Sequence, residues 1–147
     1  MTNHKEDAAR AYKRLQIESA SPGQLVVLLY DGAIEYLNRA EIAFTITIRG
    51  LEWIEKFHNN LISCQNILTE LIVSLDMQKG GEVATNLFRL YEYMHYRLVD
   101  ANIKKELDPL KEVRGLLSGL RDAFKSILVQ EKDLPIKPPR RGLNLQG

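Results

Sequence analysis

Two short motifs in the sequence combine residue types that bind metals. Glu55 and His58 form one Glu-x-x-His pair, and Glu92 and His95 form a second. Helical proteins that hold two iron or manganese ions use two such pairs together with two further inward-facing glutamates. These motifs therefore suggest one specific kind of site, a di-metal centre between helices.

The helical phase of these residues argues against such a centre. At about 100° per residue, each glutamate and histidine falls outside the apolar stripe of its own helix. Glu35 lies on a polar face and Glu112 lies near the start of a helix, so neighbouring helices supply no inward glutamate. We expect these side chains on the surface, and bound iron or manganese in the purified protein would contradict this.

The remaining catalytic signals are absent from the sequence. No glycine-rich loop follows a strand, so no phosphate cradle is predicted. The single cysteine, Cys64, lies on an apolar stripe, where a buried and inert thiol is expected. With a net charge of +1, there is no overall field to attract nucleic acid or an anionic membrane, and Arg140-Arg141 is only a small basic patch. We predict a non-enzymatic protein without a cofactor or a nucleic-acid partner.

Length and composition indicate one cytoplasmic domain. The chain has 147 residues, of which 45% are apolar and 27% charged, as in ordinary soluble proteins. The N-terminal residues are polar and show no secretory signal, and one cysteine suits a reducing compartment. The apolar run at residues 25–30 is far shorter than the roughly 20 residues that cross a bilayer. No membrane insertion is therefore predicted.

Apolar periodicity predicts four long helices, at residues 22–44, 52–75, 82–103 and 109–129. Ser21 can cap the first of them, with Pro22 at its first position and Gln24 placed to reach back to the cap. Arg49-Gly50 predicts the first turn. Because short loops join the helices, the fold class is all-α, an antiparallel up-down four-helix bundle over residues 21–130.

Both ends of the chain lie outside this predicted bundle. Residues 1–20 carry a weak apolar stripe at Ala8, Tyr12 and Leu15, and form either a frayed end or a cap segment that lies on the bundle as a latch, with Tyr12 as its anchor. Residues 131–147 are predicted to form a flexible tail, because residues 135–139 contain three prolines.

The bundle has more apolar residues than one core stripe per helix requires. The surplus residues are Val27, Tyr30, Ile34, Ile62, Val73, Phe88, Val99 and Ile103. Gly115 and Gly119 lie one turn apart on the side of the last helix that faces away from the core, although each glycine costs about 1 kcal/mol there. We interpret both features as grooves that accept apolar helices from a partner. Contacts with a neighbouring helix or with the latch remain the alternative.

Several ordered segments resemble one known family, the flagellin-specific export chaperones called FliS. The resemblance covers about residues 11–128. It is carried by Ala11-Tyr12, Glu18-Ser-Ala-Ser-Pro-Gly-Gln-Leu25, Leu28-Leu-Tyr-Asp-Gly-Ala-Ile34, Leu37-Asn-Arg-Ala40, Ile67-Leu-Thr-Glu-Leu71, Ser74-Leu-Asp-Met-Gln-Lys-Gly-Gly-Glu82, Asn86-Leu-Phe-Arg-Leu-Tyr-Glu-Tyr-Met94, Leu98-Val-Asp-Ala-Asn102, Leu110-Lys-Glu-Val113 and Leu116-Leu-Ser-Gly-Leu-Arg-Asp-Ala123. Phe124 stands where the family often has tryptophan, and the proline-rich tail is not covered.

The resemblance implies a cytoplasmic chaperone that binds the disordered C-terminal segment of flagellin. That segment would become helical in apolar grooves, would be kept from polymerising, and would be delivered to the cytoplasmic domain of the flagellar export gate. The N-terminal segment with Tyr12 would cap a groove until the client displaces it. We expect Val27→Asp or Ile34→Asp to abolish binding. A structural adaptor or a constitutive homodimer that buries the surplus by self-association stays open as an alternative.

Overall fold

The computed structural model describes residues 4–46, 50–129 and 134–137. In these ranges the chain forms five α-helices and no strand, which confirms the all-α prediction. The helices are α1 (His4–Ser19), α2 (Pro22–Thr45), α3 (Glu52–Ser74), α4 (Gly81–Lys104) and α5 (Asp108–Val129). The last four agree with the predicted helices to within one residue at each end. Arg49 of the predicted first turn lies outside the described residues.

The helices α2 to α5 form the body of the molecule. Contacts join α2 to α3, α3 to α4, α4 to α5, and α5 back to α2. The pairing of α2 with α5 is antiparallel, because Asp31 bonds to Arg121 and Asn38 further along α2 bonds to Arg114. Ser21 caps α2 as predicted: its side chain accepts a hydrogen bond from the Gln24 amide, and the Gln24 side chain accepts one from the Ser21 amide.

Most of the second apolar stripe of α2 lies in the core, so Val27 and Tyr30 are not accessible to a partner as predicted. Tyr30 is fully buried, and Val27 is buried as well. The Tyr30 ring packs edge-on against Phe124, and its hydroxyl lies 2.5 Å from that of Tyr91 on α4. Ile34 is partly buried against the same core. Tyr91 on α4 and Phe124 on α5 therefore cover Tyr30.

The two ends of the chain also differ from expectation. Tyr12, the predicted anchor of the latch, is 70% exposed, so α1 is not seated on a groove through it. Near the C-terminus, Ile136 is buried and forms an antiparallel bridge with Leu75. Residues 134–137 of the predicted flexible tail therefore pack against the body. The rest of that tail, with Arg140 and Arg141, lies outside the described residues.

Candidate partner-binding surface

The outer face of α4 exposes a continuous apolar ridge. Tyr96, Val99 and Ile103 follow one another at intervals of three and four residues, so they lie on one side of the helix. All three are exposed, and Ile103 is the most exposed of them at 77%. Ile103 and Val99 were predicted as partner-binding residues. Tyr96 was missed, although its spacing from Val99 would have revealed it.

A groove runs beside this ridge where α4 meets α3. The Asn102 side-chain nitrogen on α4 lies 2.7 Å from His58 Nδ1 on α3, which fixes the register of the two helices. Counting four residues forward from His58 on α3 and four backward from Asn102 on α4 places Ile62 level with Leu98, next to Val99. Ile62 is 37% exposed. The α3–α4 groove therefore opens to solvent between two predicted partner-binding residues.

The same register continues the α3–α4 groove toward its other end. Val73 lies three turns beyond Ile62 on the same face of α3, and it comes level with Leu87 on α4, next to Phe88. Val73 is exposed, and Phe88 is partly buried against the core. These two predicted residues therefore extend the apolar lining of the groove along most of both helices.

A second groove lies on the α5 side of α4. Glu112 on α5 accepts hydrogen bonds from the Tyr93 hydroxyl at 2.9 Å and from Arg97 Nε at 2.8 Å. Gly115 and Gly119 follow Glu112 by one and two turns on the same face of α5. A Cβ atom added at either glycine would meet no atom within 4 Å. The glycines thus leave open space beside the α4 ridge, as predicted from their positions.

Charged groups hold the α4–α5 groove in shape. The Arg97 guanidinium also pairs with Asp100, and Lys104 pairs with Asp100 from one turn further on. The hydrogen bond from Arg97 lowers the pKa of Glu112, and the hydrogen bond to Glu112 raises the pKa of Tyr93. Tyr93 therefore stays protonated as the donor to the Glu112 carboxylate.

The Glu-x-x-His motifs do not come together as a metal site. In the described ranges, no group of three or more histidine, cysteine, aspartate or glutamate side chains is arranged to hold a metal ion. His58 instead pairs with Asn102. Cys64 is fully buried, and burial raises the pKa of its thiol, so the thiol remains protonated.

Comparison with known proteins identifies the family of this helical body. The model of the family described as "Flagellar protein FliS" matches residues 4–131. The chain belongs to the FliS family. The matched range contains α1 and the whole body and ends before the docked residues 134–137. The resemblance that the sequence motifs suggested is thereby confirmed.

Individual members of the family are similar over most of their length. The chain is 38% identical to a flagellar secretion chaperone FliS of Salmonella typhimurium, over 80% of this chain and 87% of that protein. It is 34% identical to the corresponding chaperone of Bacillus subtilis, over 83% and 86% of the two chains. A third, from Escherichia coli, is 33% identical over 82% of this chain and 88% of that protein.

Within the described residues, none of the helices has both the length and the apolarity that crossing a bilayer requires.

Proposed function

We propose that this FliS-family protein is a cytoplasmic export chaperone for flagellin. The C-terminal segment of flagellin, disordered when free, becomes helical in the two grooves beside α4. Binding covers surfaces that flagellin uses to polymerise, and the loaded complex docks on the cytoplasmic domain of the flagellar export gate. One observation carries the proposal: α4 leaves Tyr96, Val99 and Ile103 in solvent, while the opposite side of the same helix is already buried in the core.

The physical basis is coupled folding and binding. A segment that orders on binding loses conformational entropy, and buried apolar area has to offset this loss. Covering a side chain such as that of Ile103 contributes about 1.5–3 kcal/mol. Two grooves on either side of one ridge let a long segment collect several such contributions. Gly115 and Gly119 allow a client helix to approach the α5 backbone closely.

The first test titrates a C-terminal fragment of flagellin into the protein by calorimetry. Ile103→Asp should weaken binding at least about tenfold, a loss of about 1.4 kcal/mol. Ile42→Asp is the matched control, because Ile42 is also exposed but lies on a different helix, α2. Equal affinity of the two variants would remove the α4 ridge from the proposal. Light scattering on the wild type and on Ile103→Asp checks the alternative, since a dimer that this variant dissociates would mean that a second copy covers the ridge.

A second test separates folding from binding. Gly119→Ala adds a methyl group to open space in a helix, so it should stabilise the protein by about 0.5–1 kcal/mol. The same methyl group should obstruct a client helix and weaken binding. Stability is measured by urea unfolding and affinity by calorimetry. If Gly119→Ala and Gly115→Ala both leave affinity unchanged, the client does not use the α4–α5 groove.

The structure changes the expectation for the α2 variants. Val27→Asp would place a charge in the core, so the protein should unfold rather than lose binding alone. Loss of client binding by that variant would therefore not support a groove on α2.

A further inference from the structure

Residues 134–137 lie across one end of the body, with a bend at Pro135 and an antiparallel bridge at Ile136. The Asp76 amide donates to the Pro135 carbonyl at 3.1 Å, and the Lys137 amide donates to the Ser74 carbonyl at 2.8 Å. Ile136, between these two bonds, is 8% exposed and belongs to the core cluster. This is the pattern by which an extended peptide pairs with exposed backbone and places alternate side chains in pockets.

Two glycines far apart in the sequence make room for this segment. A Cβ atom added at Gly23, in the first turn of α2, would lie 2.5 Å from Leu134 Cδ1 and would also collide with Leu128. A Cβ atom added at Gly80, before α4, would lie 2.5 Å from the Pro135 Cβ atom and would also collide with Ala84 Cβ and the Asp76 carbonyl oxygen. The groove between Gly23 and Gly80, here named the end groove, is thus shaped to admit a leucine and a proline side by side.

We propose that the end groove is a peptide-docking site for an extended apolar–proline–apolar segment. Its resident occupant is this chain's own residues 134–137, which form a displaceable C-terminal clip. Two backbone hydrogen bonds and one buried side chain make a small contact. Only four residues separate the clip from the end of α5, so its effective concentration at the groove is high. A segment that binds weakly as a free peptide therefore occupies the groove when it is tethered.

Fluorescence anisotropy with a labelled peptide of residues 131–147 tests this proposal on full-length chains. Ile136→Asp releases the clip, so the empty groove should bind the peptide at least about tenfold more tightly than the wild-type chain does. A peptide carrying the same Ile136→Asp change should not bind. Leu51→Asp, an equivalent change at an exposed leucine, should behave as the wild type. Equal affinity of the wild-type and Ile136→Asp chains, or no binding to the latter, would overturn the proposal.

Amide hydrogen exchange on the wild-type chain gives a second, independent test that needs no variant to fold. The amides of Asp76 and Lys137 should exchange slowly because both donate to the opposite segment. Fast exchange at both positions would show that the clip is not resident. Light scattering completes the test, since a dimer that exchanges clips between copies would make a second copy the occupant and contradict the proposal.

Discussion

The N-terminal helix α1 is 16 residues long and leaves Tyr12 and Leu15 in solvent, whereas residues 134–137 bury Ile136. Although α1 is longer, it buries less of its apolar stripe than residues 134–137 do. The surface of the body beneath each segment explains this difference in burial. At the end groove, Gly23 and Gly80 leave space, and the Ser74 carbonyl at the end of α3 obtains a partner from the clip.

The exposed stripe of α1 finds no comparable receiving surface. Ile17, close to the start of α2, is partly buried against the core, whereas Ala8 and Leu15 are exposed. The grooves beside α4 remain open as a result. Whether a terminal segment docks therefore depends more on unpaired backbone and fitted space in the body than on the length of the segment or its apolar periodicity.

Truncating one apolar side chain at each end of the chain tests most directly whether residues 134–137 contact the body more strongly than α1 does. Ile136→Ala should lower the free energy of unfolding by about 2 kcal/mol, because it removes a buried side chain from the end groove. Leu15→Ala should change it by less than about 0.5 kcal/mol, because Leu15 is exposed. Urea unfolding measures both. Equal losses would mean that α1 docks in solution as firmly as the clip.

A second prediction concerns the Tyr30–Tyr91 hydroxyl pair inside the body on which the two ends lie. Tyr91→Phe leaves the buried Tyr30 hydroxyl without its partner, which should cost about 1–2 kcal/mol. Burial raises the pKa of Tyr91 to about 12, in keeping with a hydroxyl held away from water. The double variant with Tyr30→Phe should be more stable than Tyr91→Phe alone in the same urea assay. If it is less stable, the hydroxyl pair is not what links α2 to α4.

The sequence predicts the helices well because their ends are encoded locally. Ser21 and Gln24 mark where α2 begins, the glycines at 80 and 81 mark the connection to α4, and Pro109 lies in the first turn of α5. These signals act within a few residues, so they do not depend on tertiary neighbours. The same local information placed Val99, Ile103, Gly115 and Gly119 correctly on open faces.

Position at the edge of an apolar stripe did not predict reliably whether a residue is buried or exposed. Tyr30 and Val99 both lie beside their main stripes, yet Tyr30 is buried against Phe124 while Val99 borders an open groove. Which edge is covered depends on how closely the neighbouring helix approaches, and periodicity within one helix does not contain that information. The docking of Ile136 was missed for a related reason, because Gly23 and Gly80, which admit its segment, are distant in sequence.

A third prediction tests the junction that separates α1 from the body. Ser21→Ala removes the hydrogen bond to the Gln24 amide, so it should destabilise the protein by about 1 kcal/mol. Ser19→Ala is the matched control, because the Ser19 side chain bonds to carbonyls within α1. Thermal unfolding followed by circular dichroism compares the two. Equal destabilisation by Ser19→Ala would indicate that α1 and the body unfold as one unit.

The smallest expected effect lies within α1 itself. Ile17→Ala should cost about 0.5–1 kcal/mol, because Ile17 is only partly buried against the core, whereas Tyr12→Ala should leave stability unchanged. Urea unfolding of both variants, with amide exchange along α1, measures how far contact with the body extends. Protection should decline from Ile17 toward Tyr12. A loss of stability in Tyr12→Ala would mean that the Tyr12 ring packs on the body. In that case both α1 and residues 134–137 would dock on the body, and they would differ only in how strongly they do so.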